Sequence, residues 1–509
     1  MQSDEMVALN YKYEISPESR YGRPSNAAFD MSPSIGPQSV YSKYAFINTF
    51  RVCLVAVCLG AAGQAVAHGA IEVALALLMF FALGAAFIAL TSRANLFLLR
   101  GYFVTFAVCA ATAGLIQLYS FFQFGMAQST IDAINFYRYA SAQFEFMTFE
   151  ELRQIINAPL PVMTWRYVFS FFEWLGIGEG AWLGVVVNTF VVALAGCLTV
   201  ATGFELFGKH DPRLLRLSNL TGFCGVFLLF GAIFLRDCFS LLINVVVLWT
   251  YMRLIRTPTK KRLFMSIFIV VLCTALMVFV RKASAPLFPA YGLVALICWA
   301  WKEKPDPKRI LFGVVVGVVL VALFLMSTPV LQSLGSSTSE LQSAYVEGSS
   351  SRAREGSLGV AFMLNQPMPI RTGIGSVFLL AFPIPVWAGV YPGTNEYNLL
   401  KTYQAFFQLY MLPFAFTGAW IVWQRVRAGA ADIGGALFLV LYALIGLLLV
   451  AATSIETRHF GQFIPAYLLL AAIPDLTNPV DKRMTNVARR FWLSFVGAIH
   501  IAWALLRFL

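Results

Sequence analysis

Apolar stretches of roughly 18–22 residues recur along this chain from about residue 46 to its C-terminus, and each is long enough to cross a ~30 Å hydrocarbon core as a helix. Lipid offers no hydrogen bonds, so a segment of that kind satisfies its own backbone by coiling. With 59% of its 509 residues hydrophobic and 12% charged, the chain is neither a soluble globular protein nor a disordered one. The expected fold class is all-α: a polytopic membrane protein with about thirteen transmembrane helices. Spans are expected at 46–68, 71–92, 101–124, 182–204, 217–235, 238–255, 264–280, 284–301, 310–327, 405–424, 434–453, 460–475 and 490–508. The segment "GSVFLLAFPIPVW" at 375–387 is too short and Pro-rich for an ordinary span and reads as re-entrant or interfacial.

The loops give sidedness. "SRANLFLLR", "GKHDPRLLR", "RLIRTPTKKR", "WKEKPDPKR", "QRVR" and "DKRMTNVARR" are short and basic. With the N-terminus inside, all of them fall on the cytoplasmic side, as the positive-inside rule requires. The formal charge of +12 comes mostly from these loops, so it is not read as nucleic-acid binding. The organisation expected is a disordered cytoplasmic tail over 1–45, with no cleaved signal peptide, and a two-helix hairpin over 46–100. A core over 101–327 follows, with an outer loop at 125–181, then a second long outer loop over 328–404 and C-terminal helices over 405–509. The eight cysteines lie in or beside spans and form no CxxC, which points to neither a zinc site nor a disulfide framework.

Within "GAIFLRDCFSLLIN" (231–244), Arg236 and Asp237 interrupt an apolar run too long for one span. They read as the turn of a tight helical hairpin at the outer face, either solvated only or holding a ligand. Other outer turns also carry cations against the topological bias: Arg281 and Lys282 in "VRKASAP", Arg458 and His459 beside Glu456 in "SIETRHFGQF", and Arg352, Arg354 and Arg371 in the second long loop. Cations gathered at one membrane face suggest an anionic ligand. Arginine suits phosphate because its planar fork binds two oxygens. A phosphate-bearing lipid headgroup is the natural candidate, and ordinary anionic phospholipid is the alternative.

The first outer loop holds helix signals in series. Ser129 with Asp132 resembles a capping box, and Asp132, Asn135 and Tyr139 share one face of the helix that follows. Thr148 with Glu151 makes a second box, whose helix "NAPLP" stops at Pro159 and Pro161. "TWRYVFSFFEWLG" is aromatic and amphipathic, and the three segments read as helices lying in the membrane interface. Asp132 is then either a general base toward an acceptor hydroxyl or a complement to its helix dipole.

"IDAINFYRYASA", "WRYVFSFFEWLGIG" followed by "WLGVVVNTFVVALAG", "FLRDCFSLLI", "ETRHFGQFIPAYLLLA" and "LLAFPIPVW" together resemble the GT-C membrane glycosyltransferases over roughly residues 101–475. The two long outer loops with their Arg and His residues are also similar to O-antigen polymerases of the Wzy kind. The chain departs from the GT-C pattern in its two preceding spans and in lacking a paired acidic motif, so neither a metal nor a cofactor is expected.

The resemblance implies transfer or polymerisation of sugars from a polyprenyl-(di)phosphate-linked donor to a glycan acceptor, at the periplasmic face of a bacterial inner membrane, for exopolysaccharide or O-antigen synthesis. It implies Asp132 as base with His459 second, and Arg236, Arg281, Lys282 and Arg458 on the leaving phosphate. Asp237 would orient Arg236 or bind sugar, with Tyr139, Arg352, Arg354 and Arg371 as further substrate contacts. Partners expected are the lipid bilayer and other polysaccharide-assembly proteins. The alternatives are a transporter or flippase of lipid-linked saccharides, or a non-catalytic subunit of an assembly complex.

Overall fold

The computed structural model describes residues 43–141, 148–156, 158–178, 180–303, 366–381, 386–387, 389–453 and 456–508. Among these residues there are helices and no strands, and eight helices are long and apolar enough to cross a membrane, or up to nine if one bent pair is a single span. The first spans are α1 (Lys43–His68), α2 (Glu72–Ser92) and α3 (Leu96–Phe124). The first outer loop folds as α4 (Ile131–Ala140), α5 (Phe149–Ile155) and α6 (Pro159–Trp174) before α7 (Ala181–Phe207). Next come α8 (Arg213–Gly222), α9 (Gly225–Ala232), α10 (Asp237–Arg256), α11 (Lys260–Arg281) and α12 (Leu287–Glu303). After the undescribed stretch follow α13 (Met368–Ala381), α14 (Glu396–Arg427), α15 (Gly434–Thr453), α16 (Thr457–Gly461), α17 (Ile464–Ala472) and α18 (Pro479–Phe508).

Helix α7 is the central post: 83% of its apolar window is buried within the protein, against 22% for α1 and 28% for α11, which turn most of their surface outward. Helices α1 and α3 touch through small residues. A Cβ on Gly60 would lie 2.3 Å from the Ala110 carbonyl oxygen, so only glycine lets these backbones approach so closely.

Several expected spans differ in detail. The 217–235 span is α8 and α9, bent by 45° at a break flanked by Gly222 and Gly225. The Phe223 carbonyl at the break accepts from the Tyr403 hydroxyl at 3.0 Å, so the interrupted ladder keeps a partner. The 284–301 span is the shorter α12, and 460–475 is divided into α16 and α17. The helix expected over 405–424 begins earlier, at Glu396. The C-terminal span at 490–508 is the C-terminal part of a longer helix, α18. The segment at 375–387 is partly the end of α13, with 382–385 outside the described residues, as is the expected span at 310–327.

The Thr148–Glu151 capping box is present, with both reciprocal bonds. The Ser129–Asp132 box is not: Thr130 is the N-cap of α4 and makes no side-chain cap, because both hydroxyls turn to Glu396 instead. Pro159 and Pro161 do not merely stop α5. They form the first turn of α6, where a missing N–H costs nothing.

Three of the short basic loops, those holding Arg100, Arg213 with Arg216, and Arg256, meet at one end of the bundle. Arg100 donates to Thr49 and Asn219, Arg256 to the Phe204 carbonyl, Arg213 to the Ile473 carbonyl, and Arg216 to the carbonyls of Ala472 and Pro474. Arg213 and Arg216 thus close the C-terminal end of α17, whose last carbonyls have no partner within the helix.

Candidate functional site

A different set of charges gathers at the opposite helix ends. Arg458 donates to Asp132 at 2.5 Å, joining the start of α16 to the first turn of α4. Arg281, closing α11, lies 3.1 Å from Asp237, which opens α10. Lys401, in the second turn of α14, donates to Glu456 at 3.2 Å, and the Tyr397 hydroxyl donates to the same oxygen at 3.1 Å. Arg236 stands over the Phe136 ring of α4, with its guanidinium carbon 6.0 Å from the ring centre. Among the described residues Arg236 makes no ion pair.

Local sequence explains how Arg236 and Asp237 come to be there. They are not a solvated hairpin turn: Asp237 is buried, at 3% exposure. Beyond α9 the chain turns tightly, the Leu235 N–H donating to the Ile233 carbonyl at 2.8 Å, and Asn188 of α7 brackets the turn, donating through Nδ2 to the carbonyls of Ile233 and Leu235 at 3.0 and 2.9 Å. The Asn188 oxygen accepts from the Trp165 indole N–H at 3.0 Å, and Gln128 accepts from the Phe234 N–H at 3.3 Å. A polar residue in the middle of "GVVVNTFVV" thus holds the turn that delivers Arg236. Asp237, expected to orient Arg236 or to bind sugar, is paired with Arg281.

The electrostatics follow from crowding. Burial works against the Arg458 charge, but Asp237, Tyr397, Glu456 and Asp132 more than offset it and hold the guanidinium above its ordinary range. Burial alone would raise the Glu456 carboxyl; Lys401 and Arg458 keep it below its usual value. His459 is pushed well below its ordinary value by burial, then by Arg281, Arg458, Arg236 and Lys401. Its imidazole is therefore neutral at physiological pH. Four cations (Arg236, Arg281, Lys401, Arg458) gather with the carboxylates Asp132, Asp237 and Glu456, and Glu396 lies beside them under the start of α4.

The structure thus brings together Asp132, Arg236, Asp237, Arg281, Arg458 and His459 of the expected residues. Lys282 follows Arg281, begins a short 3-10 turn and is exposed. Tyr139 lies at the end of α4, its carbonyl accepting from Arg166 at 2.8 Å. Arg371 is buried in the first turn of α13. Arg352 and Arg354 lie outside the described residues.

Sequence reasoning missed Tyr397 and Lys401 and did not assign Glu456. The available signal was the outer-cation rule itself, since Lys401 fell in the second outer loop once the span was started at 405. Among the described residues no group of three or more His, Cys, Asp or Glu side chains is arranged to hold a metal ion.

No family model matches the chain, and no curated protein matches its sequence.

Proposed function

We propose that this protein transfers or polymerises sugars from a polyprenyl-(di)phosphate-linked donor, at the periplasmic face of a bacterial inner membrane, in exopolysaccharide or O-antigen synthesis. The observation that carries the reading is the convergence of Asp132, Arg236, Arg281, Arg458 and neutral His459 from separate helices onto one end of the bundle. A cluster of that kind suits a lipid whose phosphate lies at the membrane surface and whose tail lies among the helices.

In the proposed reaction the acceptor hydroxyl attacks the anomeric carbon of the donor. The bond from that carbon to the phosphate oxygen breaks, and the phosphate leaves with the electron pair. Arg236, which makes no ion pair among the described residues, meets the departing phosphate first. Arg281 and Arg458, already beside carboxylates, add fixed positive potential that needs no rearrangement. Asp132 accepts the hydroxyl proton through Oδ1, the oxygen that Arg458 does not hold, and His459 is the second candidate base. Lys401 joins the cationic side of the site.

Deletion of the gene and analysis of surface glycan and lipid-linked intermediates tests the reading. Loss of polymer with build-up of lipid-linked donor is expected. Build-up of that donor on the cytoplasmic face alone would favour the flippase alternative instead. That alternative draws support from Gln64 and Gln404, whose buried side-chain amides have no hydrogen-bond partner among the described residues.

A further inference from the structure

Glu396 is wholly buried at the outer end of α14, yet the described residues give it no ion pair. A bare carboxylate there is costly unless its oxygens are filled. Glu396 fills them mainly from the residues that lead into α4. Oε1 accepts from the Thr130 N–H at 2.9 Å, the Thr130 hydroxyl at 2.7 Å and the Ser129 N–H at 2.8 Å. Oε2 accepts from the Ser129 hydroxyl at 2.5 Å and, more weakly, from Ser120 at 3.5 Å. Its charge also sits against the positive end of the α4 dipole.

We infer that Glu396 is a positioning residue, which holds the N-terminus of α4 so that Asp132 meets Arg458. Helix α4 has ten residues and no side-chain cap of its own. A helix that short is marginal alone and takes its direction from tertiary contacts. Asp132 follows the anchored Thr130 by two positions. The residue after Glu396 works on the other partner: Tyr397, with Lys401, binds Glu456, two residues before Arg458. The first two turns of α14 therefore clamp both halves of the Asp132–Arg458 pair, one through Glu396 and one through Tyr397 and Lys401. A shift of α14 along its axis would move both partners at once.

The inference rests on the proposed function only where it concerns catalysis. Its structural part is tested by hydrogen exchange on purified full-length protein in lipid nanodiscs. Glu396→Gln keeps shape and removes the charge. Exchange of the α4 amides should rise about tenfold, the scale that loss of charge-assisted hydrogen bonds sets for a local opening, while α7 and α10 stay as in the wild type. Wild-type exchange in α4 would overturn the inference. Should Glu396→Gln not accumulate, Glu396→Asp, which withdraws the carboxylate by one methylene, gives the same reading.

In a transfer assay with a lipid-linked donor, Glu396→Gln should lower kcat about tenfold and leave donor KM unchanged, because the cations stay in place. A rise in KM with unchanged kcat would overturn the positioning role. Faster α4 exchange in a protein that transfers no sugar in its wild-type form would count against the proposed function and still support the clamp.

Discussion

Asp132 and Arg458 are 326 residues apart in the chain and share a 2.5 Å hydrogen bond between the first turns of two short helices. The pair is partly solvated, with the Asp132 side chain 45% exposed, so its contribution to stability is below about 1 kcal/mol. Its disruption should therefore be read in activity. Asp132→Asn is expected to insert and accumulate normally and to lower glycan transfer by about 10²–10⁴-fold, the range of a lost general base. Wild-type transfer in Asp132→Asn would leave Asp132 with the ion pair alone.

Arg236 separates a phosphate clamp from a mere polar residue at a helix start. Arg236→Gln removes charge and fork together and should cost about 10²–10³-fold in transfer, as for one lost oxyanion donor. Arg236→Lys keeps the charge and loses the planar fork, so a partial loss is expected. Lipid-linked donor should accumulate in both variants at wild-type expression. Normal glycan chains in Arg236→Gln would remove Arg236 from the mechanism.

The orientation of the bundle is open to direct measurement. A periplasmic reporter fused near Gly348 should be active, and one near Lys260 silent, because the short basic loops are expected to face the cytoplasm. Reversed activities would place the Asp132–Arg458 cluster inside.

His459 gives a pH prediction. Burial and four neighbouring cations hold its folded value well below the ordinary 6.5. Between those two values the unfolded chain binds a proton that the folded protein does not, so stability falls as pH drops below about 6.5 and levels off beneath the folded value. Melting temperatures in detergent across that window should decline for the wild type and decline less for His459→Gln. Parallel slopes would mean that other groups carry the acid sensitivity.

Packing supplies a prediction independent of function. Gly60→Ala should destabilise by about 1–3 kcal/mol, because its Cβ would run into the Ala110 backbone. Gly497→Ala, whose Cβ meets nothing within 4 Å, is the control and should be neutral or slightly stabilising. Equal melting temperatures for the two variants would show that α1 shifts freely against α3.

Much of the architecture was legible because it is local. Hydropathy marks a span without reference to any other span, and Thr148 finds Glu151 three residues away. What escaped depends on distant partners. Ser129 has the spacing of a cap, but its N–H and its hydroxyl both donate to Glu396, 267 residues on. The division of 213–232 needed the covering Tyr403 to be affordable, and only the flanking Gly222 and Gly225 hinted at it. In the cluster, the cations were visible as exceptions to a topological rule. Their pairing was not, since Asp237 had an arginine next to it in sequence and chose Arg281 in space. Lys401 was hidden by a hydropathy boundary drawn too late.

The arginines at the other end have a consequence for biogenesis. Arg216 reaches the Ala472 carbonyl, 256 residues downstream, and Arg213 reaches Ile473 beside it. When α8 enters the bilayer during synthesis, those carbonyls do not yet exist. The two guanidinium groups are then hydrated ions that cannot follow their helix across, and they fix its direction of insertion. Once α17 emerges, the same groups become latches that draw the late helices onto the early ones. A chain cut short before Ala472 keeps the ions and loses the latches. It would be threaded the right way round and still gape at one end, which is the form a membrane protease is best placed to recognise.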